Sequence, residues 1–304
     1  MTAVIRPTAD HVDYLAHEAP YGRLFPRVET FSDILPHRLN DEQLRHFRER
    51  GFIHQIVVFT QEQVLRLREA LESIVQGRNG RESELLCHSN ENAGTTRLTY
   101  LQGGWMIDPD LHDLIFHPAI TVKVAQLLGT RKVRFWHDQV FYKPPKVGGN
   151  VAWHQDYSYW LRTTPSQHLS VWIGLDDSTL ENGCLQVVPE SHRWGLLARD
   201  QLLGDMDQLK HQLTADQLAR FVPVPIEQSA GTCSFHHDHT IHGSYRNESE
   251  RARRAIILNF MVDGTRSNAD DGIMMPGYHP IPKGQPITGR MFPVVLDLDS
   301  LSGA

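Results

Sequence analysis

From Val133 to about residue 262, short β-branched and aromatic runs follow one another at turn signals, and no helix-length periodic segment regularly separates them. The runs are VRFWHDQVFYKPP (133–145), HLSVWIGLDD (168–177), LENGCLQVVP (180–189), GTCSFHHDHTIHGS (231–244) and RRAIILNFMV (253–262). Parallel neighbours would need crossovers of a dozen or more residues, usually helical. The pattern therefore favours an antiparallel β-sandwich with helices packed on it over a parallel α/β fold. Within LENGCLQVVP, Asn182-Gly183 is a hairpin signal, because apolar residues resume directly behind it. Residues 195–220 interrupt the strands with a polar, partly helical insertion of the kind that serves as a lid or binding loop.

The first part of the chain reads differently. Residues 1–38 contain proline and lack periodicity, as an arm lying on the surface would. Asn40 can cap DEQLRHFRERG, with Leu44 and Phe47 on one face and Gly51 as its stop. Thr60 and Gln63 form a capping box ahead of a helix that places Val64, Leu67, Leu71, Ile74 and Val75 at helical spacing. A third helix fits 118–129. The reading is an arm (1–38) and a single domain (39–304). That domain has a helical start (40–130), a strand-rich core (about 131–265) with the lid-like insertion 195–220, and an ordered tail (266–304).

Composition excludes more than it selects. The chain is 40% hydrophobic, and its 30 Lys and Arg stand against 36 Asp and Glu, a net charge of −6. That is too apolar for a disordered chain and too acidic for nucleic acid as the main partner. No apolar run approaches the ~20 residues of a membrane span, and the first twenty residues lack a secretory apolar stretch. The three cysteines (Cys87, Cys184 and Cys233) are scattered without a CxxC pair, as expected of reduced thiols in a cytoplasmic protein. A monomer and a dimer are equally compatible with this composition.

Histidine is abundant, at 18 of 304 residues, so a His-x-Asp pair should arise about once by chance. Three occur: His11/Asp13, His154/Asp156 and His236/Asp238. The first lies in the arm, where few neighbours can supply a third ligand. The third lies in a crowded run whose residues point to alternate faces of a strand. His154/Asp156 follows the Gly148-Gly149 loop, and on an extended backbone i and i+2 face the same side, so both can meet one ion. A second histidine from a distant strand would complete a 2-His-1-carboxylate set, which favours Fe(II) oxygenase chemistry. His242, 88 residues later, is that candidate, and Gly243 permits close backbone approach. Arg253, eleven residues further on and near the mouth of the expected pocket, can clamp a carboxylate in a bidentate pair. The plain alternatives are ordinary packing for the histidines and a solvated basic turn for Arg251, Arg253 and Arg254.

The stretches KPP (143–145), WHQD (153–156), WIGLDDSTLENGCLQVVPESH (172–192) and HGSYRNESERARRAI (242–256), with the opening LNDEQLRHFRERGF, resemble the phytanoyl-CoA dioxygenase family over about residues 38–265. The resemblance implies a double-stranded β-helix, or jelly roll, and an Fe(II)- and 2-oxoglutarate-dependent dioxygenase. Such an enzyme hydroxylates an unactivated C–H bond of a small molecule with O2 and releases succinate and CO2. It also implies His154, Asp156 and His242 as iron ligands, with Arg253 and Ser244 on the distal carboxylate of 2-oxoglutarate. Trp172 would stand beside the cosubstrate or simply pack the core. Gln139, in phase with His137 and Phe141, would line the same pocket. A carboxylate at Asp156 favours hydroxylation over halogenation. One departure is Glu190 in PESH, where relatives usually carry glycine.

Tyr157, Tyr159, Trp160, Trp105 and His168 are further candidates for substrate contact, each with core packing as the alternative. Cys184 and Cys233 read as buried, inert thiols. Two rivals remain at this level: a Zn-dependent hydrolase or isomerase on the same scaffold, since zinc accepts the same donors, and a non-catalytic jelly-roll binding protein. The carboxylate clamp at Arg253 discriminates, because a metal hydrolase has no need of one.

Overall fold

The computed structural model describes residues 12–303 except 23, 94, 95 and 276. His11, and with it the first His-x-Asp pair, lies outside the described residues, as does the beginning of the arm. The expected helices form where their caps predict. Helix α1 (Asp41–Arg50) starts at Asn40, whose side chain accepts from Gln43 N while Asn40 N donates to Gln43 Oε1, and it ends at Gly51 with φ +83°. Thr60 and Gln63 make the same reciprocal box before α2 (Gln61–Val75), each box worth about 1 kcal/mol. Val64, Leu67, Leu71 and Ile74 bury the inner stripe of α2. Helices α3 (Pro109–Leu114) and α4 (Pro118–Leu128) both open on proline, which has no amide hydrogen to leave unpaired there.

Two antiparallel sheets face each other. The larger joins β1 (Phe52–Val57), β2 (Cys87–Ala93), β3 (Thr96–Gln102), β4 (Lys132–Lys143), β6 (His168–Gly174), β9 (Thr232–His237) and β11 (Arg253–Val262) in the order β1-β9-β6-β11-β4-β3-β2, with β12 (Val294–Asp297) also pairing β4. The smaller runs β5 (Val151–His154), β10 (His242–Ser244), β7 (Gln186–Val187), β8 (Val224–Pro225). This is the jelly-roll sandwich expected of the strand-rich half. Period-two alternation divides the large sheet. Leu169, Val171, Ile173, Cys233, Phe235, Ile256, Leu258 and Phe260 pack against the helices. Trp172, Ala255 and Ile257 face the small sheet, where they meet Val151, Leu185 and Val187.

Three expectations change. The stretch read as a helical start also contributes β1, which pairs with β9 far along the chain, and β2 and β3, which pair with each other and join the sheet through β4. The turn at Asn182-Gly183 forms, with Asn182 Oδ1 accepting from Thr179 N, but it does not make a hairpin. It carries the chain from the large sheet at β6 to the small sheet at β7, which pairs with β10 and β8. The arm is not merely superficial either, since Tyr14, Phe25 and Ile34 are buried.

Gly183 adopts φ +74°, and a Cβ there would run into the carbonyl oxygen of Tyr245. Gly183→Ala is therefore expected to cost about 2–3 kcal/mol and lower Tm by several degrees in a thermal melt. Glu190 holds φ +67°, which accounts for the glycine preferred there by relatives, and its carboxylate pairs with Arg50 at 2.8 Å and Arg220 at 3.3 Å. The ion pairs offset part of the strain, so Glu190→Gly should leave Tm within a degree or two of the parent.

Candidate active site

A cavity of about 330 Å³ opens between the sheets. Its lining includes His154, Asp156 and His242, whose donor atoms all lie within 4.8 Å of one another. Among the described residues no other trio of His, Cys, Asp or Glu comes together in this way. His154 on β5 and His242 on β10 are directly paired across the small sheet, with ring centroids 4.1 Å apart. Gly243 allows that approach, because a Cβ there would sit 3.0 Å from Val151 O and 3.1 Å from the Trp153 ring.

Strand β5 ends at His154, and Asp156 opens a 3-10 turn instead of continuing the strand. Gln155 between them stays extended (φ −110°, ψ 133°), so the i, i+2 relation survives. Asp156 Oδ1 lies 3.5 Å from His154 Nε2 and 3.6 Å from His242 Nε2.

The ring orientations suit a cation. His154 Nδ1 contacts Ala152 O at 2.7 Å and His242 Nδ1 contacts Thr240 O at 2.9 Å. A carbonyl only accepts, so each Nδ1 carries a proton and each ring turns its Nε2 toward the centre. Burial, together with the neighbouring His154, pushes the His242 imidazole well below its usual range and keeps it neutral. Burial opposes ionisation of Asp156, but the imidazoles that face it, His242, His154 and His236, outweigh it and hold the carboxyl well below the usual carboxylate range. A neutral imidazole at His242 and an ionised carboxylate at Asp156 are protonation states that divalent metal binding requires.

At the other end of the same wall stands Arg253, which is 2% exposed. It lies in the depth of the cavity rather than near a mouth, because it sits on the inward face of β11 with its guanidinium carbon 5.4 Å from the Trp172 ring centroid. Its Nε has no hydrogen-bond partner, and among the described residues no carboxylate pairs with it. Burial lowers its pKa to about 10, which still leaves it cationic at neutral pH. Its neighbours behave differently: Arg251 is exposed, and Arg254 is bound by Asp176 and Glu72. A buried, uncompensated cation in a cavity is costly unless an anion visits it.

Lys143, fully buried and directly opposite Arg253 across β4 and β11, adds a second amine. Its Nζ donates to Ser244 Oγ at 2.7 Å and to the carbonyl of Tyr245. Burial, then the adjacent Arg253, pushes its pKa well down. With its oxygen accepting from Lys143, the Ser244 hydroxyl is free to donate its own proton into the cavity. Asn247 pins the turn behind them through Lys143 O, Pro144 O and Arg251 O.

Gln139 and Trp172 line the cavity, Gln139 donating to Tyr100 Oη at 3.2 Å. Tyr159 and Trp160 line it as well. Tyr157 does not, since its hydroxyl is turned to Thr163 O at 2.7 Å. Trp105 packs beneath the helices in the main core, and His168 is enclosed by Trp136, Tyr157 and Trp160, so neither reaches the cavity. Cys184, which lies just before β7 and not in a strand, and Cys233 on β9 are both buried.

Sequence reasoning missed His137, His236, Arg199 and the pair Met274–Met275, all in the lining. His137 alternates in phase with Gln139 and was legible from that. The others come from the loop 195–220, the tail, and a strand face that only the pairing of β9 defines. The third His-x-Asp pair splits: His236 turns inward, while Asp238 accepts from Ser166 Oγ and His168 N outside the cavity.

A phytanoyl-CoA dioxygenase of Arabidopsis thaliana is 34% identical over 172 residues, covering 55% of this chain and 58% of the relative. Phytanoyl-CoA dioxygenase 1 of Oryza sativa subsp. japonica is 27% identical over 73% of this chain and 88% of its own length. Against several relatives, the Arabidopsis protein among them, the chain spans little more than half their length. Among solved structures, the non-heme alpha ketoglutarate dependent carbocyclase SnoK from nogalamycin biosynthesis superposes with a TM-score of 0.67 at 26% identity, over 84% of this chain and 96% of that one. The phytanoyl-CoA dioxygenase family profile matches residues 47–255, a span that begins in α1 and takes in the cavity lining except Ile257, Met274 and Met275. On that match, and with the four motifs folded around one cavity, the chain belongs to the phytanoyl-CoA dioxygenase family.

Proposed function

We propose that this protein is an Fe(II)- and 2-oxoglutarate-dependent dioxygenase that oxidises a small molecule, with hydroxylation of an unactivated C–H bond as its reaction. The observation that carries the reading is the pairing, in one cavity, of a three-donor cluster with a buried guanidinium that lacks a counter-ion. His154, Asp156 and His242 would hold the iron, and the donor set fits: two Nε2 atoms and one anionic oxygen that converge in one cavity. Arg253 and Ser244 would hold the far carboxylate of 2-oxoglutarate, with Trp172 and Gln139 along its flank. A metal hydrolase has no use for that buried cation, which disfavours the zinc reading.

Iron bound there supplies O2 activation coupled to oxidative decarboxylation of 2-oxoglutarate to succinate and CO2. The chain's own residues do the rest. Arg253 neutralises the carboxylate and Ser244 donates to it, so the cosubstrate is presented in one orientation. Lys143 fixes the Ser244 hydroxyl in its donating rotamer. Trp160, Met274 and Met275 give the substrate end an apolar wall that excludes water and aims one C–H bond. Residues 195–220 cover the opening: Tyr159 Oη donates to Asp200 O at 2.6 Å, and Leu209 and Leu213 anchor the segment against Trp153 and Ile241. We take 39–304 as one catalytic domain with this segment as its cover.

The test is succinate release by the full chain, screened over a panel of small metabolites. Turnover should require Fe(II), 2-oxoglutarate and O2 together, stop with EDTA, and not be restored by zinc. Metal-supported hydrolysis without 2-oxoglutarate consumption would refute the proposal. Ser244→Ala should raise KM for 2-oxoglutarate about tenfold, the loss of one charge-assisted hydrogen bond, with a smaller change in kcat.

A further inference from the structure

Asp156 stands between two cross-strand pairs, one from each sheet. On one side are His154 and His242, directly opposed across β5 and β10, which face its Oδ1. On the other are His236 and Ser170, directly opposed across β9 and β6, which face its Oδ2. His236 Nε2 lies 3.2 Å from Oδ2, and the Ser170 hydroxyl donates to the same atom. A carboxylate only accepts, so the proton of His236 sits on Nε2. Its Nδ1 is left buried without a partner. The His236 ring also lies against that of His242, with centroids 4.3 Å apart.

We propose that His236 is a positioning residue for the metal centre. It ties down Oδ2 so that Asp156 offers the metal Oδ1 alone, and its ring braces the imidazole of His242. The consequence is a monodentate carboxylate. A bidentate one would take a coordination position that the cosubstrate or O2 needs. With its proton on Nε2, His236 cannot itself compete as a fourth ligand. Its role is set by strand register: the alternation that sends Cys233 and Phe235 to the helices sends Ser234 and His236 inward. This inference rests on the metal reading above and adds a residue to it.

The experiment is a Co(II) titration of the metal-free full chain, followed through the visible d–d bands, with no cosubstrate present. The parent should bind, and His154→Ala should not. His236→Phe, which keeps a ring but loses the donor, should bind at least about tenfold more weakly. Its d–d intensity should change as the carboxylate becomes bidentate. His236→Gln, which restores an N–H, should recover affinity to within about threefold of the parent. The metal-free melting temperatures of both variants should stay close to the parent's, which separates positioning from folding. If His236→Phe binds Co(II) with the parent's affinity and spectrum, the positioning role is wrong. If it loses binding as completely as His154→Ala, His236 is a ligand and the proposal is equally overturned. If the parent itself fails to bind, the metal reading falls, and this inference with it.

Discussion

His154→Ala should abolish turnover of 2-oxoglutarate, lowering succinate formation by at least about a thousandfold, because the centre loses one of three donors and the geometry the other two depend on. The fold should persist. The His154 side chain makes one hydrogen bond, to Ala152 O, and the pairing of β5 with β10 is a backbone matter. Circular dichroism and a melting curve close to the parent's, alongside loss of metal binding by calorimetry, would confirm that the effect is local. Succinate release at the parent's rate in this variant would remove His154 from the site. Asp156→Ala should behave similarly for metal affinity, but it also leaves His236 Nε2 without its acceptor, while Ser170 keeps Asn259 Oδ1. A modest loss of stability should therefore accompany it, about 1–2 kcal/mol in a denaturant melt.

Arg253→Met gives the sharper contrast, since function and stability should move in opposite directions. Removing a desolvated charge from a dianion's binding site costs about 3–4 kcal/mol of binding, so KM for 2-oxoglutarate should rise roughly 10²–10³-fold. In the ligand-free protein the same charge has no carboxylate partner and faces Lys143 across the strands. Methionine fills much of the volume without the desolvation penalty, so the Tm of ligand-free protein should hold or increase. A large fall in Tm with an unchanged KM would make Arg253 a structural residue and leave the cosubstrate clamp without its cation.

Some of this was legible in the sequence, and the reasons are physical. Capping is local chemistry, so Asn40 and the Thr60/Gln63 box announced their helices directly. His154 and Asp156 were legible because an i, i+2 relation survives the end of a strand as long as the residue between them stays extended. The β-rich half was legible from composition and turn residues alone. What could not be read was sidedness across strands. Asn182-Gly183 marks a turn, but whether the next strand pairs back or crosses to the other sheet is decided by β10, sixty residues on. His236 looked like one member of a chance His-x-Asp because its neighbours across β6 were unknown. Lys143 read as the end of a strand before two prolines; its complete burial under Ser244 and Tyr245 is a property of the assembled sandwich. Arg253 was identified by resemblance, and its depth was misjudged, because a cluster of three arginines reads as a surface turn until the strand face is known.

The direct pairing of His154 with His242 also bears on how the molecule comes together. The two strands are far apart in the chain, so closing them is a late, entropically expensive contact, and no preformed fragment can carry the centre beforehand. Because side chains alternate along a strand, a one-residue slip between β5 and β10 would send one imidazole to the opposite face. Metal uptake would thus reward only the correctly registered sandwich, pulling the folding equilibrium toward it by mass action. In a refolding experiment, the rate at which the chain acquires metal affinity should follow the slowest phase of sheet closure.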